Sequence, residues 1–343
     1  MTSRHAADSA LPTLTLPPLA ELLASAHVVS LPLTTRFRGL DVREALVMQG
    51  PHGSTEFSPF AEYSDEEAAV WLAAAIDFGW DAQPSPLRTK IPVNATIPAV
   101  PAADVAAVLA SFDGCRTAKV KVAESGQSLA DDIARVAEVR RILGPEGRIR
   151  IDANGGWNVD EAEHAIRELS VYDLEYVEQP CATVPQLAEI RERVAYMDIP
   201  IAADESVRKA SDPLAVARAE AVDLLVIKAQ PLGGIRLAIE LVEQSGLPAI
   251  VSSALDTSVG ISMGAWLAAT LPELFYDCGL GTASLLAADV TSSPLKPVDG
   301  YITVERVELD AVLLAEHAAP ADRDAWWRER LTRCYALLES PAV

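Results

Sequence analysis

The middle of this chain alternates two patterns with a regularity that few folds accommodate. Eight short runs rich in β-branched residues, at 95–100, 117–122, 148–154, 174–180, 200–206, 223–229, 249–256 and 275–282, are separated by segments of helical spacing. The helical segments carry their own start and stop signals. Ser128-Leu129-Ala130-Asp131 has the form of a capping box, and the helix it opens runs to Leu143 ahead of Gly144-Pro145. Asn158 precedes Val159-Asp160-Glu161, acids suited to a first helical turn. Ser211-Asp212-Pro213 opens another helix with proline at an early position, and Gly233-Gly234 opens one that ends near Gly246. Strands alternating with helices about every 25–30 residues predict an α/β fold of the (β/α)8-barrel type. A doubly wound sheet would need a glycine-rich loop after its first strand, where this chain has Pro101-Ala102-Ala103.

The flanks read differently. Residues 27–90 form a small α+β capping domain before the barrel. Alternating runs at 27–35 and 42–49 suit a hairpin, 57–63 follows, and Ser64-Asp65-Glu66-Glu67 caps a helix over 68–78 that stops at Gly79. The barrel domain takes 91–290. In the C-terminal segment, 291–343, a strand-like run at 300–304 and a helix near 320–338 are expected to pack back on the cap. Residues 1–26 read as a flexible extension. Arg4 and Ala24-Ser25-Ala26 imitate a signal peptide, but Pro12, Pro17, Pro18 and Glu21 interrupt any apolar core.

Composition narrows the partners. Lys plus Arg number 28 against 49 Asp plus Glu, a net charge of −21, which argues against nucleic acid and against an anionic membrane surface. The longest candidate uncharged run, 257–272, has 16 residues, short of the ~20 a membrane span needs. Cys115, Cys181, Cys278 and Cys334 show no paired spacing, which suits reduced thiols and a cytoplasmic location. The oligomeric state is left open, a monomer being compatible with the chain.

Barrel enzymes place their reactive groups at the C-terminal ends of strands. Three consecutive strands end in Asp152, Glu178 and Asp204, spaced 26 residues apart, one βα unit each. Taken singly, any of them is an ordinary rim acid. In register they converge at one height, where mutual repulsion calls for a divalent cation, and all-oxygen ligation suits Mg²⁺ or Mn²⁺. The flanking strands end in cations. Lys119 and Lys121 share a face by the period of two, and Lys228 lies one unit beyond Asp204. Lysines facing into a barrel are costly to desolvate, and repulsion between Lys119 and Lys121 favours a neutral amine able to act as a base. Arg150 shares the face of Asp152 and suits either a substrate carboxylate or an internal salt bridge. Glu205 faces away from Asp204 if the strand continues, and supports the metal site from behind. Trp80 and Trp157 read as packing residues.

Lys-x-Lys, then Asp in Asp-Ala-Asn, Glu in Glu-Gln-Pro, Asp in Asp-Glu-Ser and a final Lys, on consecutive strands behind a small cap, resemble the enolase superfamily and its muconate-lactonising subgroup. Phe37-Arg38-Gly39-Leu40-Asp41-Val42-Arg43-Glu44, the stretch 53–59 and Val93-Asn94-Ala95-Thr96-Ile97-Pro98-Ala99-Val100 are similar to o-succinylbenzoate synthases of the actinobacterial type. The cap is shorter than in most of the subgroup, and the proline-rich extension departs from its pattern. The resemblance implies Mg²⁺-dependent dehydration of 2-succinyl-6-hydroxy-2,4-cyclohexadiene-1-carboxylate, a small anionic carboxylate, in menaquinone biosynthesis. It implies Asp152, Glu178 and Asp204 as metal ligands. Lys121 would remove the proton α to the ring carboxylate, with Lys119 beside it. Lys228 and the metal would stabilise the enediolate. Ser252 and Ser253, ending the seventh strand, and Gly279, Gly281 and Thr282, ending the eighth, are small residues suited to the succinyl tail, Asn154 is a further substrate-binding candidate, and Arg38 lies in a cap loop that suits a lid. N-succinylamino acid racemase, dipeptide epimerase and cycloisomerase remain open within the same superfamily, since a racemase needs both Lys121 and Lys228. A Schiff-base aldolase using Lys228 is the alternative of another class, and borohydride trapping on Lys228 would reveal it.

Overall fold

The computed structural model describes residues 15–209 and 212–340. Its cap is an antiparallel sheet, β1 (His27–Phe37), β2 (Leu40–Gly50) and β3 (Gly53–Phe57), in that order. The hairpin forms with longer arms than its alternating runs, and β3 occupies residues that the sequence left between the hairpin and 57–63. A helix, Asp65–Trp80, follows with Ser64 accepting from the Glu67 N–H as its cap. This helix runs through Gly79 rather than stopping there. Gly79 serves close approach instead: a Cβ on Gly50 would lie 2.2 Å from the Gly79 carbonyl oxygen, and His52 N–H donates to that same oxygen at 2.9 Å. Two facing glycines let the β2–β3 turn sit directly on the helix.

The barrel follows with β4 (Lys90–Pro92) leading into β5 (Ala95–Ile97), then β6 (Thr117–Lys121), β7 (Arg148–Asp152), β8 (Leu174–Glu178), β9 (Ile201–Ala203), β10 (Leu224–Ile227) and β11 (Ala249–Val251). β5 to β11 form one parallel sheet of seven strands in sequence order. The eighth run, 275–282, is not an extended strand. It closes the barrel through a single rung, Gly279 pairing with Ser252 and Cys278 with Val93. Phe275 is exposed, and the chain turns into a short 3-10 helix, Thr282–Leu285, immediately after the rung. The capping boxes at Ser128 and Asn158 are present, and Gly234 and Gly246 bracket the helix Ile235–Ser245 at positive φ. Ser211 lies outside the described residues. Downstream of it, the next helix is Ala215–Arg218.

The tail elements part company. β12 (Tyr301–Thr303) pairs with β4 at the N-terminal end of the barrel rather than returning to the cap. The last helix, Ala321–Glu339, does pack on the cap, where Trp327 meets Phe57 edge-on at 5.9 Å in a cluster with Leu46, Trp71 and Leu331. Such aromatic pairs contribute about 0.5–1.5 kcal/mol beyond area burial. Part of the expected flexible extension belongs to this cluster. Residues Leu19–Ser25 form a helix whose Leu22 is fully buried, and Trp80 Nε1 donates to Glu21 Oε1 at 2.7 Å. Residues 1–14 of that expectation lie outside the described residues. Among the described residues, no helix is long and apolar enough to cross a membrane.

Cap and barrel are joined by buried charge. Glu56 Oε2 accepts from Thr257 N–H (3.1 Å), the Thr257 hydroxyl (2.5 Å) and Gly260 N–H (3.0 Å), at the start of the helix Ser258–Thr270. Burial, reinforced by Asp256, pushes the Glu56 carboxyl up to about 7. An unfolded glutamate titrates near 4.3, so folding takes up a proton here. The contribution is full below about pH 4 and is lost as pH rises through about 7. Glu56→Gln is therefore predicted to gain stability relative to wild type between pH 5 and pH 8, on the order of 2 kcal/mol. Denaturant midpoints at the two pH values check this, and an unchanged difference would refute it.

Candidate active site

The register of the barrel brings the reactive side chains together. Lys121 pairs across the sheet with Asp152, and Asp152 with Glu178, so these three stand on one rung. Glu178 pairs with Ala202, which places Asp204 two residues beyond that rung rather than at the same height. β9 ends at Ala203, and Asp204 forms the N-terminal boundary of a four-residue helix, Glu205–Arg208. The turn swings Asp204 back over the barrel mouth. Its backbone is held by Gln179, whose Oε1 accepts from Asp204 N–H at 3.0 Å and Ser206 N–H at 3.2 Å. Asp152, Glu178 and Asp204 are all buried.

The lysines face these acids. Lys119 Nζ lies 2.9 and 3.0 Å from the two Glu178 oxygens and 3.3 Å from Asp152 Oδ2. Lys121 Nζ lies 2.5 Å from Asp152 Oδ2 and 2.7 Å from Asn154 Oδ1. Lys228 pairs with Asp204 from the other side. β6 and β10 are four strands apart in an eight-position barrel, so Lys121 and Lys228 stand on opposite walls. Lys119 and Lys121 share Asp152 Oδ2, and Glu178 gives Lys119 a second acid, so carboxylates stand against both ammoniums. Burial works against the Lys119 ammonium, but Glu178 and Asp152 outweigh it and hold the group well above the usual amine range. Burial pushes Lys228 below that range, opposed by Asp204. Burial likewise works against charge on Asp152 and Asp204, yet Lys121 and Lys119 hold the first below the carboxylate range, and Lys228 and Arg208 the second. Glu178 goes the other way, to about 7, through burial and the neighbouring Asp152.

Among the described residues, no three acid, histidine or cysteine side chains stand at mutual ligating distance. The ammonium of Lys119 lies between Asp152 and Glu178. The donor set nonetheless fits a divalent cation. It is all oxygen and buried, and both Asp152 and Asp204 raise the Glu178 carboxyl, a penalty that added positive charge relieves.

An open cleft lies above these groups. Phe37, Arg38, Thr96, Asn154, Ser252, Ser253, Ala254, Leu255, Gly279 and Thr282 complete its lining with Arg208 and the charged residues. Lys119, Lys121, Lys228, Arg38 and Arg208 line it with two carboxylates, Asp152 and Asp204, so cations outnumber acids along the cleft despite the acidic chain. Ser253 Oγ donates to the Gly279 carbonyl at 2.9 Å and pairs with the Thr282 hydroxyl at 2.7 Å. Non-glycine residues at positive φ gather at this mouth, namely Arg38, Ala123, Asn154, Gln179 and Leu255. Strained backbone of this kind concentrates at functional sites.

Two expected substrate contacts are displaced. Arg150 is fully buried below the cleft, paired with Glu175 at 2.5 Å, donating to the Asp277 carbonyl at 2.6 Å, with its guanidinium 5.0 Å from the Tyr176 ring centroid. It shares the face of Asp152 but lies two residues deeper, and of its two readings the internal salt bridge holds. Arg150→Met is predicted to cost roughly 3 kcal/mol, since Glu175 loses its buried partner and keeps only Arg148 at 3.8 Å, while KM stays within about twofold. Denaturation and steady-state kinetics check both, and a KM shift without loss of stability would return Arg150 to the substrate site. Gly281 packs instead against Asn94 and Phe112, where a Cβ would meet the Asn94 carbonyl oxygen at 2.8 Å. Glu205 accepts from Asn154 Nδ2 at 3.1 Å and from Arg208 at 2.6 Å, because the strand has already ended. Sequence reasoning missed Gln179, Arg208 and Tyr63. The i,i+4 spacing of Asp204 and Arg208 and the glutamine of Glu-Gln-Pro were the available signals.

The chain is similar to known proteins along nearly its whole length. The family described as enolase C-terminal domain-like matches residues 102–308, and that described as enolase N-terminal domain-like matches residues 28–79. The o-succinylbenzoate synthase of Mycobacterium tuberculosis (strain H37Rv) is 52% identical over 324 residues, 94% of this chain and 97% of that protein. That of Thermobifida fusca is 54% identical over 313 residues, 90% and 96% respectively. A muconate lactonizing enzyme from Pseudomonas fluorescens, solved with muconolactone, shares the fold at TM-score 0.74 and 20% identity, over 86% of this chain and 98% of its own. With cap and barrel matched and more than half of the aligned residues identical along nearly the whole length, the chain belongs to the enolase superfamily, in the family of these o-succinylbenzoate synthases.

Proposed function

We infer that the chain is an o-succinylbenzoate synthase, a carbon–oxygen lyase that dehydrates 2-succinyl-6-hydroxy-2,4-cyclohexadiene-1-carboxylate to 2-succinylbenzoate. The observation that carries the reading is 52% identity to such a synthase across 94% of the chain, with Lys119, Lys121, Asp152, Glu178, Asp204 and Lys228 gathered at one barrel mouth. Asp152, Glu178 and Asp204 are the residues that would hold a divalent metal, Mg²⁺ in this reading, with Mn²⁺ able to replace it. When bound, the metal supplies positive charge to the substrate carboxylate.

Lys121 takes the proton α to the ring carboxylate, breaking a C–H bond and leaving its electron pair on the substrate. Asp152 and Asn154 steady the resulting ammonium. Lys228, on the opposite wall, presents its ammonium to the charge that develops on the carboxylate. Lys119 balances Glu178 beneath the cleft. Protonated Lys121 then returns its proton to the leaving ring hydroxyl, the C–O bond breaks, water departs and the ring becomes aromatic. Ser252, Ser253 and Gly279 border the space for the succinyl tail, and Arg38 overhangs it. The excess of cations suits a small dianionic substrate and not nucleic acid. A cytoplasmic, menaquinone-forming role belongs with this reading and is supported by four free thiols.

Lys121 and Lys228 on opposite walls also support a second reading, two-base racemisation of N-succinyl amino acids. Formation of o-succinylbenzoate, followed by ultraviolet absorbance with and without EDTA, tests the first. Racemisation at an equal or better rate would favour the second, and absence of product with added Mg²⁺ would overturn the first.

A further inference from the structure

Lys121 is held by a polar chain that begins outside the barrel. Its Nζ donates to Asn154 Oδ1 at 2.7 Å, and Asn154 Nδ2 donates to Glu205 Oε1 at 3.1 Å. The same Glu205 oxygen accepts from Arg208 Nη2 at 2.6 Å, while Arg208 Nη1 donates to the Tyr63 hydroxyl at 3.0 Å and Nε to Asp204 Oδ1 at 2.9 Å. Tyr63 lies in the cap, in the turn between β3 and the helix Asp65–Trp80. That turn is itself clamped. Arg330, from the C-terminal helix, donates to the Phe60 carbonyl at 3.1 Å and the Tyr63 carbonyl at 2.6 Å, and the Phe60 and Tyr63 rings meet edge-on at 5.5 Å. Tyr63, Arg208 and Arg330 are all buried, so water does not compete for the contacts at the cap end of the chain, while Asn154 at its other end is exposed to the cleft.

We propose that Arg208 and Tyr63 are positioning residues for Lys121, through which the cap and the C-terminal helix orient the base. The argument rests on the donor and acceptor inventory. An amine that must keep a lone pair for the substrate needs acceptors at its side; Asp152 Oδ2 at 2.5 Å and Asn154 Oδ1 at 2.7 Å are the two present, and since Asp152 is also among the acids that would hold the metal, Asn154 is the one that serves Lys121 alone. The Glu205 carboxylate, which only accepts, draws the NH₂ end of the amide to itself and so turns the Asn154 oxygen towards Lys121. Glu205 in turn is held by the planar fork of Arg208, whose three contacts no lysine could reproduce from a single ammonium. Asn154 sits at φ +47, a conformation that surrounding contacts must sustain. The chain thus reaches from a helix at residues 321–339 to the base across domains far apart in sequence.

The proposal rests on the reading of Lys121 as the α-proton base. Tyr63→Phe removes one hydroxyl and keeps the ring. It is expected to lower kcat roughly tenfold, less than the ~10²-fold of a 1 Å misplacement, with KM within about twofold. The kinetic isotope effect on kcat with α-deuterated substrate is expected to rise, because proton transfer becomes slower relative to other steps. Calorimetric affinity for o-succinylbenzoate should stay unchanged. Glu205→Gln, which disturbs the amide orientation directly, is expected to act in the same direction, and its crystal structure to show Asn154 released from Lys121. Unchanged kcat and isotope effect in Tyr63→Phe, a fall in kcat without a rise in isotope effect, or an unmoved Lys121–Asn154 contact in Glu205→Gln would overturn the proposal. Absence of o-succinylbenzoate formation by the wild-type protein with Mg²⁺ would instead overturn the functional reading, while the crystallographic comparison would still judge the positioning chain.

Discussion

Lys121→Ala is expected to lower kcat by about four orders of magnitude with the fold retained. A positioned general base contributes about 10²–10⁴-fold, and here one amine serves two proton transfers, so the upper end applies. The side chain sits at the cleft rather than in the core, with 13% of its surface exposed. Truncation removes its contact with the Phe37 ring, 5.6 Å from Nζ, but no member of the apolar core. Asp152 keeps a cation, since Lys119 Nζ remains 3.3 Å away. The predicted signature is a fall in kcat far larger than any change in KM, with an unchanged melting transition. Arg should not rescue it, because a guanidinium does not give up its proton. Turnover within tenfold of wild type would remove Lys121 from the role of base.

Metal removal carries the second large effect. Chelation by EDTA is predicted to reduce product formation to background, and added Mg²⁺ to restore it. The physical reason lies in the acids. Three buried carboxylates crowd the mouth, and burial with Asp152 already pushes Glu178 up to about 7. Removing one anion, by Glu178→Gln, is expected to weaken Mg²⁺ binding by at least about tenfold, the scale of loss seen when supporting contacts to a metal ligand are deleted. Titration of metal against intrinsic fluorescence reads that directly, apart from turnover. Activity that survives exhaustive chelation would exclude the metal-dependent reading and leave the lysines to act alone.

The site was more legible than its surroundings, for identifiable reasons. Strand-end residues one βα unit apart must converge in a barrel, so Lys121, Asp152, Glu178, Asp204 and Lys228 could be read from spacing. The height of Asp204 could not, because it depends on β9 ending at Ala203 and turning into a helix. Face parity placed Arg150 with Asp152, but parity carries no depth, and two residues of depth separate a substrate contact from a buried salt bridge. Gly79 and Gly281 looked like a helix stop and a pocket lining. Both instead make room for neighbours distant in sequence, Gly50 in one case and Asn94 with Phe112 in the other. Leu19–Ser25 joins the core for the same reason, the Trp71–Trp327 cluster being assembled from three separate parts of the chain.

What the sequence determined by itself is therefore the inventory of the cleft: which acids and lysines gather there and their order around the barrel. These follow from local periodicity, which short-range sterics and hydrogen bonding impose on every segment. The tertiary structure alone decided how those groups are held. Gln179 bracing Asp204, the single closing rung at Gly279 and the chain from Arg330 through Tyr63 and Arg208 to Lys121 join residues up to hundreds of positions apart. Such contacts are selected by packing and by the satisfaction of buried polar groups, and neither leaves a period in the sequence.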